Sequence, residues 1–137
     1  MKTLEVRSTK RSEMIDITSR VAEAARAMSA TDGALTVFVP HTTAAVTINE
    51  AADPDVATDI LVALDRLVPW EAGYRHGEDN AAAHIKSTMV GSSVQIGVEG
   101  GRLVLGRWQG VFFCEFDGPR GRQVHVFFRQ AAARAEG

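Results

Sequence analysis

Apolar and polar residues alternate along much of this chain, and a period of two is typical of strands with one buried face. In the first segment Leu4 and Val6 alternate with Glu5 and Arg7. The unbroken apolar run ALTVFVP instead predicts a fully buried strand that ends at Pro40, because proline cannot donate to a strand ladder. The predicted strands cover residues 2–9, 12–17, 34–40, 44–50, 92–98, 102–106, 109–117 and 122–129. By their spacing, the last two form a hairpin.

Two other segments repeat apolar residues at helical spacing, which predicts amphipathic helices over residues 18–30 and 54–66. The second has a typical start, with Asp53 as the cap and Pro54 at the first helical position.

A third, shorter helix is predicted from about Asp79 to Val90, with Ile85 and Met89 facing inward and Gly91 ending it. The stretch before it, residues 67–79, is irregular and of a length that often carries function.

The order of these elements indicates the fold class. Strands cluster towards both ends of the chain and helices lie between them, which favours an α+β fold with mostly antiparallel β-sheets and two to three short helices. A length of 137 residues predicts a single domain, residues 1–137. Its last segment, residues 130–137, is predicted to be a frayed or weakly helical tail.

Composition excludes several classes of function. A formal net charge of -2 with no run of like charges argues against generic binding of nucleic acid. No stretch approaches the roughly 20 apolar residues that span a bilayer, and no secretory signal is visible, so we expect no membrane association and a cytoplasmic location. The one cysteine, Cys114, lies in an apolar run and is predicted to be a buried small hydrophobe.

Three histidines in separate segments, His41, His76 and His84, are the main candidates for chemistry. Imidazole is a common metal ligand and the usual proton carrier near neutral pH. Each alone is consistent with a structural, hydrogen-bonded residue, whereas together they predict a metal site with room for a substrate. No HExxH or CxxC motif supports a structural zinc site. A fourth histidine, His125, alternates within the last strand and is predicted to be structural.

Charged residues near the end of the chain leave two interpretations open. Arg120 and Arg122 flank a glycine in the sequence GPRGR, where guanidinium groups can bind phosphate or carboxylate oxygens. Alternatively, Arg120 pairs with Asp117 across the turn. Glu50 and Glu115 lie in strand-like segments, where a carboxylate is either paired or available to position a histidine or act as a base.

A set of short motifs gives the chain a family resemblance. In chain order they are His41-Thr42-Thr43-Ala44, Asn49-Glu50, Asp53-Pro54, His76, His84-Ile85-Lys86-Ser87, Gly91-Ser92-Ser93, Gly106-Arg107-Trp108-Gln109-Gly110 and Glu115-Phe116-Asp117-Gly118-Pro119-Arg120. With them the chain resembles the YjbQ family over about residues 3 to 129. The resemblance implies an α+β subunit that assembles as a homotrimer, with His41, His76 and His84 grouped in a pocket for a metal ion or an anion.

The resemblance also implies an activity, secondary thiamine-phosphate synthase. This reaction joins hydroxymethylpyrimidine diphosphate to thiazole phosphate and releases diphosphate. Under this enzyme hypothesis a divalent metal ion, zinc or magnesium, is held by the three histidines. The expected catalytic residues are Glu50, His84 and Lys86, and the expected groups for the phosphorylated substrate are Thr42, Asn49, Lys86 and Arg120.

The alternative hypothesis is a non-catalytic protein that binds a metal ion or an anion and works as an oligomer. Motif spacing does not separate the two hypotheses. It also leaves open whether the site lies within one chain or between two.

Overall fold

A computed structural model describes residues 1–133 of the chain. Its elements in chain order are β1 (Lys2–Arg7), β2 (Glu13–Asp16), α1 (Thr18–Ala27), β3 (Gly33–Phe38), β4 (Ala44–Glu50), α2 (Pro54–Leu67), α3 (Ala81–Val90), β5 (Ser93–Glu99), β6 (Arg102–Leu103), β7 (Gln109–Glu115) and β8 (Gly121–Gln130). The predicted α+β class with antiparallel sheets is confirmed.

The strands form two antiparallel sheets. The larger has the order β1-β8-β3-β5-β6, and the smaller has the order β2-β7-β4. In the smaller sheet β4 pairs with β7 along its whole length, from Ala44 opposite Glu115 to Glu50 opposite Gln109.

Alternation along β7 explains how this strand is buried on both faces. Val111 and Phe113 belong to the main core, which also takes buried residues from the larger sheet and from α1. Phe112 and Cys114 belong to a second core, against which α2 and α3 pack. The prediction of Cys114 as a buried hydrophobe is confirmed, since it is 2% exposed.

The predicted hairpin of the last two strands is wrong, because β7 and β8 lie in different sheets. β7 pairs with β2 and β4, whereas β8 pairs with β1 and β3. The connection of residues 116–120 therefore crosses from one sheet to the other. Sequence spacing alone does not distinguish such a crossing from a hairpin.

The predicted orientation of α3 is also wrong. Ile85 and Met89 are 39% and 53% exposed, whereas Ala83 and Lys86 are buried. The reason is an ion pair between the buried Lys86 ammonium and Asp65 of α2, which turns the polar position towards the second core.

The chain end differs in part from the predicted tail. β8 continues to Gln130, and the backbone N–H of Ala131 donates to the carbonyl of Asp32. Residues 134–137 of the predicted tail lie outside the described residues. In residues 1–133, the helices are too short or too polar to cross a bilayer.

Candidate functional site

Three segments enclose an open cleft of about 440 Å³ at one end of the two sheets. They are the loop between β3 and β4, the start of α3 with the residues before it, and the crossing from β7 to β8. We call this the histidine cleft. It is lined by Pro40, His41, Thr42, Thr43, Glu78, Asn80, His84, Asp117, Arg120 and Arg122.

The three predicted histidines come together through His84. His41 and His84 line the histidine cleft from the β3–β4 loop and from α3. The ring of His76 packs edge-on against the ring of His84, with 5.1 Å between the ring centroids. His76 also lies near a carboxylate, 3.6 Å from its Nε2 to Oε2 of Glu78. The cleft thus joins His41 and His84, which are 43 residues apart in the chain.

A backbone contact restricts what His41 can do. The N–H of Gln123 in β8 donates to Nε2 of His41 at 2.9 Å. In the neutral ring the proton is therefore on Nδ1, because Nε2 is already an acceptor. Burial, together with the nearby Arg122 guanidinium, lowers the pKa of His41 below its usual value of 6.5. His41 is thus a neutral donor at physiological pH.

The histidines as arranged do not fit a three-ligand metal centre. A metal ion needs an unprotonated nitrogen lone pair, and at His41 the Nε2 lone pair faces the Gln123 N–H. Within residues 1–133 no three or more His, Cys, Asp or Glu side chains are grouped so that they could hold a metal ion. The divalent ion stays a prediction from the resemblance.

Arg120 and Asp117 form the pair that was one of the two interpretations of the turn. Arg120 donates from Nε to the carbonyl oxygen of Asp117 at 2.9 Å and from Nη2 to its Oδ2 at 3.1 Å. The amide of Asn80 donates to the same Oδ2 at 2.9 Å. Because a guanidinium has five N–H donors and this side chain is 51% exposed, Arg120 keeps donors for an anion in the cleft.

A buried ion pair lies beneath the histidine cleft. Glu115 is fully buried, and its Oε1 accepts from Arg122 Nε at 2.9 Å and from Ser8 Oγ at 2.8 Å. Arg122 Nη2 donates to Glu115 Oε2 at 2.5 Å and to Thr43 Oγ1 at 2.8 Å. Oε2 also accepts from the Asp117 N–H at 3.0 Å. The pair therefore fixes both Thr43 and Asp117, on two sides of the cleft.

The pKa of Glu115 reflects opposing effects. Burial alone would raise it, but the hydrogen bonds from Arg122, the Asp117 N–H and Ser8, with the charge of Arg122, hold the pKa below its usual value. Glu115 is thus a charged, fully paired group and has no lone pair directed at a substrate as a base would.

Two predicted site residues lie at the far end of β4. Glu50 accepts from the N–H of Ala52 at 2.9 Å, and Asn49 accepts from the N–H of Glu50 at 2.7 Å. A strand rises about 3.3 Å per residue, so the length of β4 puts them about 20 Å from its start beside the cleft. One chain alone does not bring Asn49 and Glu50 to the histidines.

Lys86 also lies away from the histidine cleft. Its side chain is 2% exposed, its ammonium pairs with Asp65, and the ring of Phe116 lies 6.0 Å from Nζ. The structure places this cation between α2 and α3, where it holds the two helices together.

Sequence reasoning did not select Asn80, Glu78 or Thr43 as site residues. Asn80 had a signal, since it lies one helical turn before His84 and shares its face. Glu78 and Thr43 had only their closeness to a predicted histidine, which is not specific.

Comparisons with known proteins place the chain among relatives of similar length. A family model described as UPF0047 protein YjbQ-like matches residues 2–131. UPF0047 protein YugU of Bacillus subtilis is 53% identical over 127 residues, which are 92% of this chain and 96% of that protein. UPF0047 protein MJ1081 of Methanocaldococcus jannaschii is 46% identical over 122 residues, which are 89% of this chain and 88% of that protein.

Solved structures agree with the fold. A crystal structure of a YjbQ/UPF0047 family protein from Clostridium acetobutylicum matches with a TM-score of 0.92 and 48% identity, over 94% of this chain and 100% of that one. A YbjQ-like protein of unknown function from Sulfolobus solfataricus matches with a TM-score of 0.91 and 31% identity, over 95% and 96%. The names of these four relatives state a family and no activity.

Proposed function

This chain belongs to the UPF0047 family of YjbQ-like proteins, and from that premise we propose that its histidine cleft binds a phosphorylated small molecule and catalyses a thiamine-phosphate synthase-like transfer. The observation that carries the proposal is the meeting of His41, His84 and Arg120 in one open cleft. A half-exposed guanidinium beside imidazole N–H donors suits the oxygens of a diphosphate.

In this reaction no group of the protein needs to form a covalent bond to a substrate. The carbon–oxygen bond between the pyrimidine methylene and the diphosphate breaks, the thiazole nitrogen forms a bond to that methylene, and diphosphate leaves with the electron pair. Catalysis then consists of positioning and of stabilising the charge on the leaving group. Arg120 would take that charge, the His41 N–H would donate to it, and Thr42 would add a hydroxyl beside it.

Asn49 and Glu50 could assist only from another copy of the chain, because β4 holds them about 20 Å from the cleft of their own copy. The proposal therefore includes the homotrimer, and it assigns Lys86 to holding α3 rather than to the reaction. The cytoplasmic location stays a prediction.

The direct test is to measure thiamine phosphate formed from hydroxymethylpyrimidine diphosphate and thiazole phosphate by the purified protein. Replacing His84 by Asn should lower the rate about a hundredfold or more, the usual scale for loss of a positioned acid–base group. His125→Asn is the matched control, because that histidine lies on β8 and bonds Thr3 outside the cleft. No product from the unaltered protein, with or without added zinc or magnesium, would refute the enzyme.

One observation favours the alternative of a non-catalytic binding protein. Asp117 of the cleft pairs with Arg120, and Glu78 is exposed and lies beside His76, which does not line the cleft, so neither carboxylate is positioned as a base against a cleft histidine. This alternative predicts diphosphate binding that His84→Asn weakens, measured by calorimetry, without any turnover of the two substrates.

A further inference from the structure

The side chain of Asn80 joins two walls of the histidine cleft. Its Nδ2 donates to Oδ2 of Asp117 at 2.9 Å, and the same oxygen accepts from Nη2 of Arg120 at 3.1 Å. Asn80 directly precedes α3, which carries His84, whereas Asp117 and Arg120 lie on the crossing from β7 to β8. One carboxylate oxygen therefore connects the helix wall to the guanidinium.

Asn80 does not use its side chain in the way that is usual at its position. Asparagine is favoured immediately before a helix because its side-chain oxygen accepts a backbone N–H of the first turn. Here the side chain makes no such bond to α3. Its Oδ1 is instead buried and has no hydrogen-bond partner among residues 1–133. Reversing the amide would place this oxygen against the Asp117 carboxylate, so Nδ2 is the donor.

Both features of Asn80 lower stability, because an uncapped helix start and a buried unpaired oxygen are each unfavourable. Local rules of this kind are broken mainly at functional sites. Among the described residues, the side-chain hydrogen bond of Asn80 goes to Asp117. The conformation of Asn80 is therefore better explained by the geometry of the cleft than by the stability of α3.

Arg120 is the group that this arrangement orders. Its side chain is long and 51% exposed, so it would lose rotamer freedom on binding an anion. Its two contacts with Asp117, from Nε to the carbonyl and from Nη2 to the carboxylate, restrict the guanidinium beforehand. The Asp117 carboxylate is in turn held by Asn80, and the Asp117 N–H by Glu115. A guanidinium that is already ordered binds an anion more tightly, because less entropy is lost.

We propose that Asn80 is a positioning residue of the histidine cleft, which acts through Asp117 to orient the Arg120 guanidinium towards a phosphate or diphosphate group. This inference rests on the proposed function, because it requires that Arg120 binds an anion in the cleft.

The test measures the binding of inorganic diphosphate to the unaltered protein and to Asn80→Ala by isothermal titration calorimetry. The affinity should fall about threefold or more, the scale of ordering one long side chain. The midpoint of thermal unfolding should change by less than about 4 °C, because the variant also removes the unpaired oxygen. Asn80→Ser, which keeps a polar group before α3 but is too short to reach Asp117, should behave likewise. Gln95→Ala, on an exposed amide of β5 outside the cleft, is the control and should retain full affinity.

A double-mutant cycle shows whether Asn80 acts through Arg120. Arg120→Lys keeps the positive charge but lacks the planar group that bonds Asp117 twice. In that background, Asn80→Ala should have little further effect on the affinity for diphosphate. A purely structural role of Asn80, or its direct contact with the anion, would instead give the same loss in both backgrounds.

The outcomes separate this inference from the function beneath it. Unchanged affinity in Asn80→Ala, an equal loss in both backgrounds, an equal loss in Gln95→Ala, or a larger fall in the unfolding midpoint overturns the positioning role while anion binding stands. Failure of the unaltered protein to bind diphosphate overturns the proposed function and this inference with it.

Discussion

At the scale of single residues, one backbone hydrogen bond determines the chemistry of His41. Because the Gln123 N–H donates to Nε2, the neutral ring should carry its proton on Nδ1. Long-range nitrogen–proton correlation spectra of the protein at pH 7.5 identify the tautomer directly. A ring protonated at Nε2 would contradict this arrangement and restore Nδ1 as a possible metal ligand.

The buried pair of Glu115 and Arg122 should contribute strongly to stability. Glu115→Gln keeps the shape but leaves the Arg122 guanidinium buried without a counter-charge, which typically costs about 3–5 kcal/mol. We expect a fall of that size in the free energy of unfolding, measured by urea denaturation. Glu23→Gln, on the exposed side of α1, is the control and should change it by less than about 0.5 kcal/mol. Similar values for both variants would refute the importance of the pair.

The same carboxylate predicts a pH dependence of stability. The pKa of Glu115 is lowered in the folded chain, so its contribution is fully present above its unfolded value of about 4.5. The contribution should be lost as the pH falls below 4.5 through the folded pKa. The gap in unfolding free energy between the unaltered protein and Glu115→Gln should therefore be constant between pH 6 and pH 5 and should narrow as the pH falls further below 4.5. A gap that widens over this range would show the opposite shift.

Residue identities were predictable where the reason is local. Cys114 lies in an apolar run, and His125 alternates within a strand, so both were assigned correctly as structural. The partners of Lys86 and Glu115 were not predictable, because the fold, and not the sequence spacing, brings Asp65 and Arg122 to them.

At the scale of elements, α3 shows how a paired charge can reverse an amphipathic pattern. Its polar Lys86 faces inward, while Ile85 and Met89 face outward. Asp65→Asn should weaken this arrangement and lower the free energy of unfolding by about 1–3 kcal/mol, since a buried ammonium loses its charged partner. Urea denaturation tests it, with Asp59→Asn on the exposed side of α2 as control. An effect no larger than the control's would assign the orientation of α3 to packing alone.

Element boundaries followed local chemistry well. Asp53 caps α2 by accepting from the Asp55 N–H, with Pro54 first in the helix, as predicted. The connection of β7 to β8 was not predictable from its spacing. Which sheet a strand joins depends on the pairing of β8 with β1 and β3, which lie far away in sequence.

At the scale of the whole molecule, the α+β class was predictable from the order of periodic segments, and the meeting of the three histidines was predicted from their chemistry. The sequence did not reveal that Glu50 lies at the opposite end of β4 from them. The two ends of this seven-residue strand are far apart, and polar residues occur at both ends. The sequence alone does not show which of these polar residues lie beside the histidines.

The prediction at the scale of the whole molecule is that the chain assembles as a homotrimer. The helices expose Val62, Leu67, Ile85 and Met89, apolar side chains that contact between copies would cover. We expect light scattering after gel filtration to give three times the 14.8 kDa of one chain. Met89→Lys should shift the mass towards that of one chain if this surface is used, while Val104→Lys, on an exposed residue after β6, is the control. A monomer at all concentrations would refute the trimer.

A ligand bound at the crossing from β7 to β8 would affect both sheets, because this connection joins a strand of one sheet to a strand of the other. Asp117 and Arg120 lie on this crossing. Glu115 and Arg122, at its two ends, form a buried ion pair beneath them. A guest held by Arg120 would restrain the ends of two strands that belong to separate ladders. β4 pairs with β7, and β3 pairs with β8. Ligand binding should therefore slow the exchange of amide protons with deuterated solvent in both β4 and β3, although these two strands belong to different sheets.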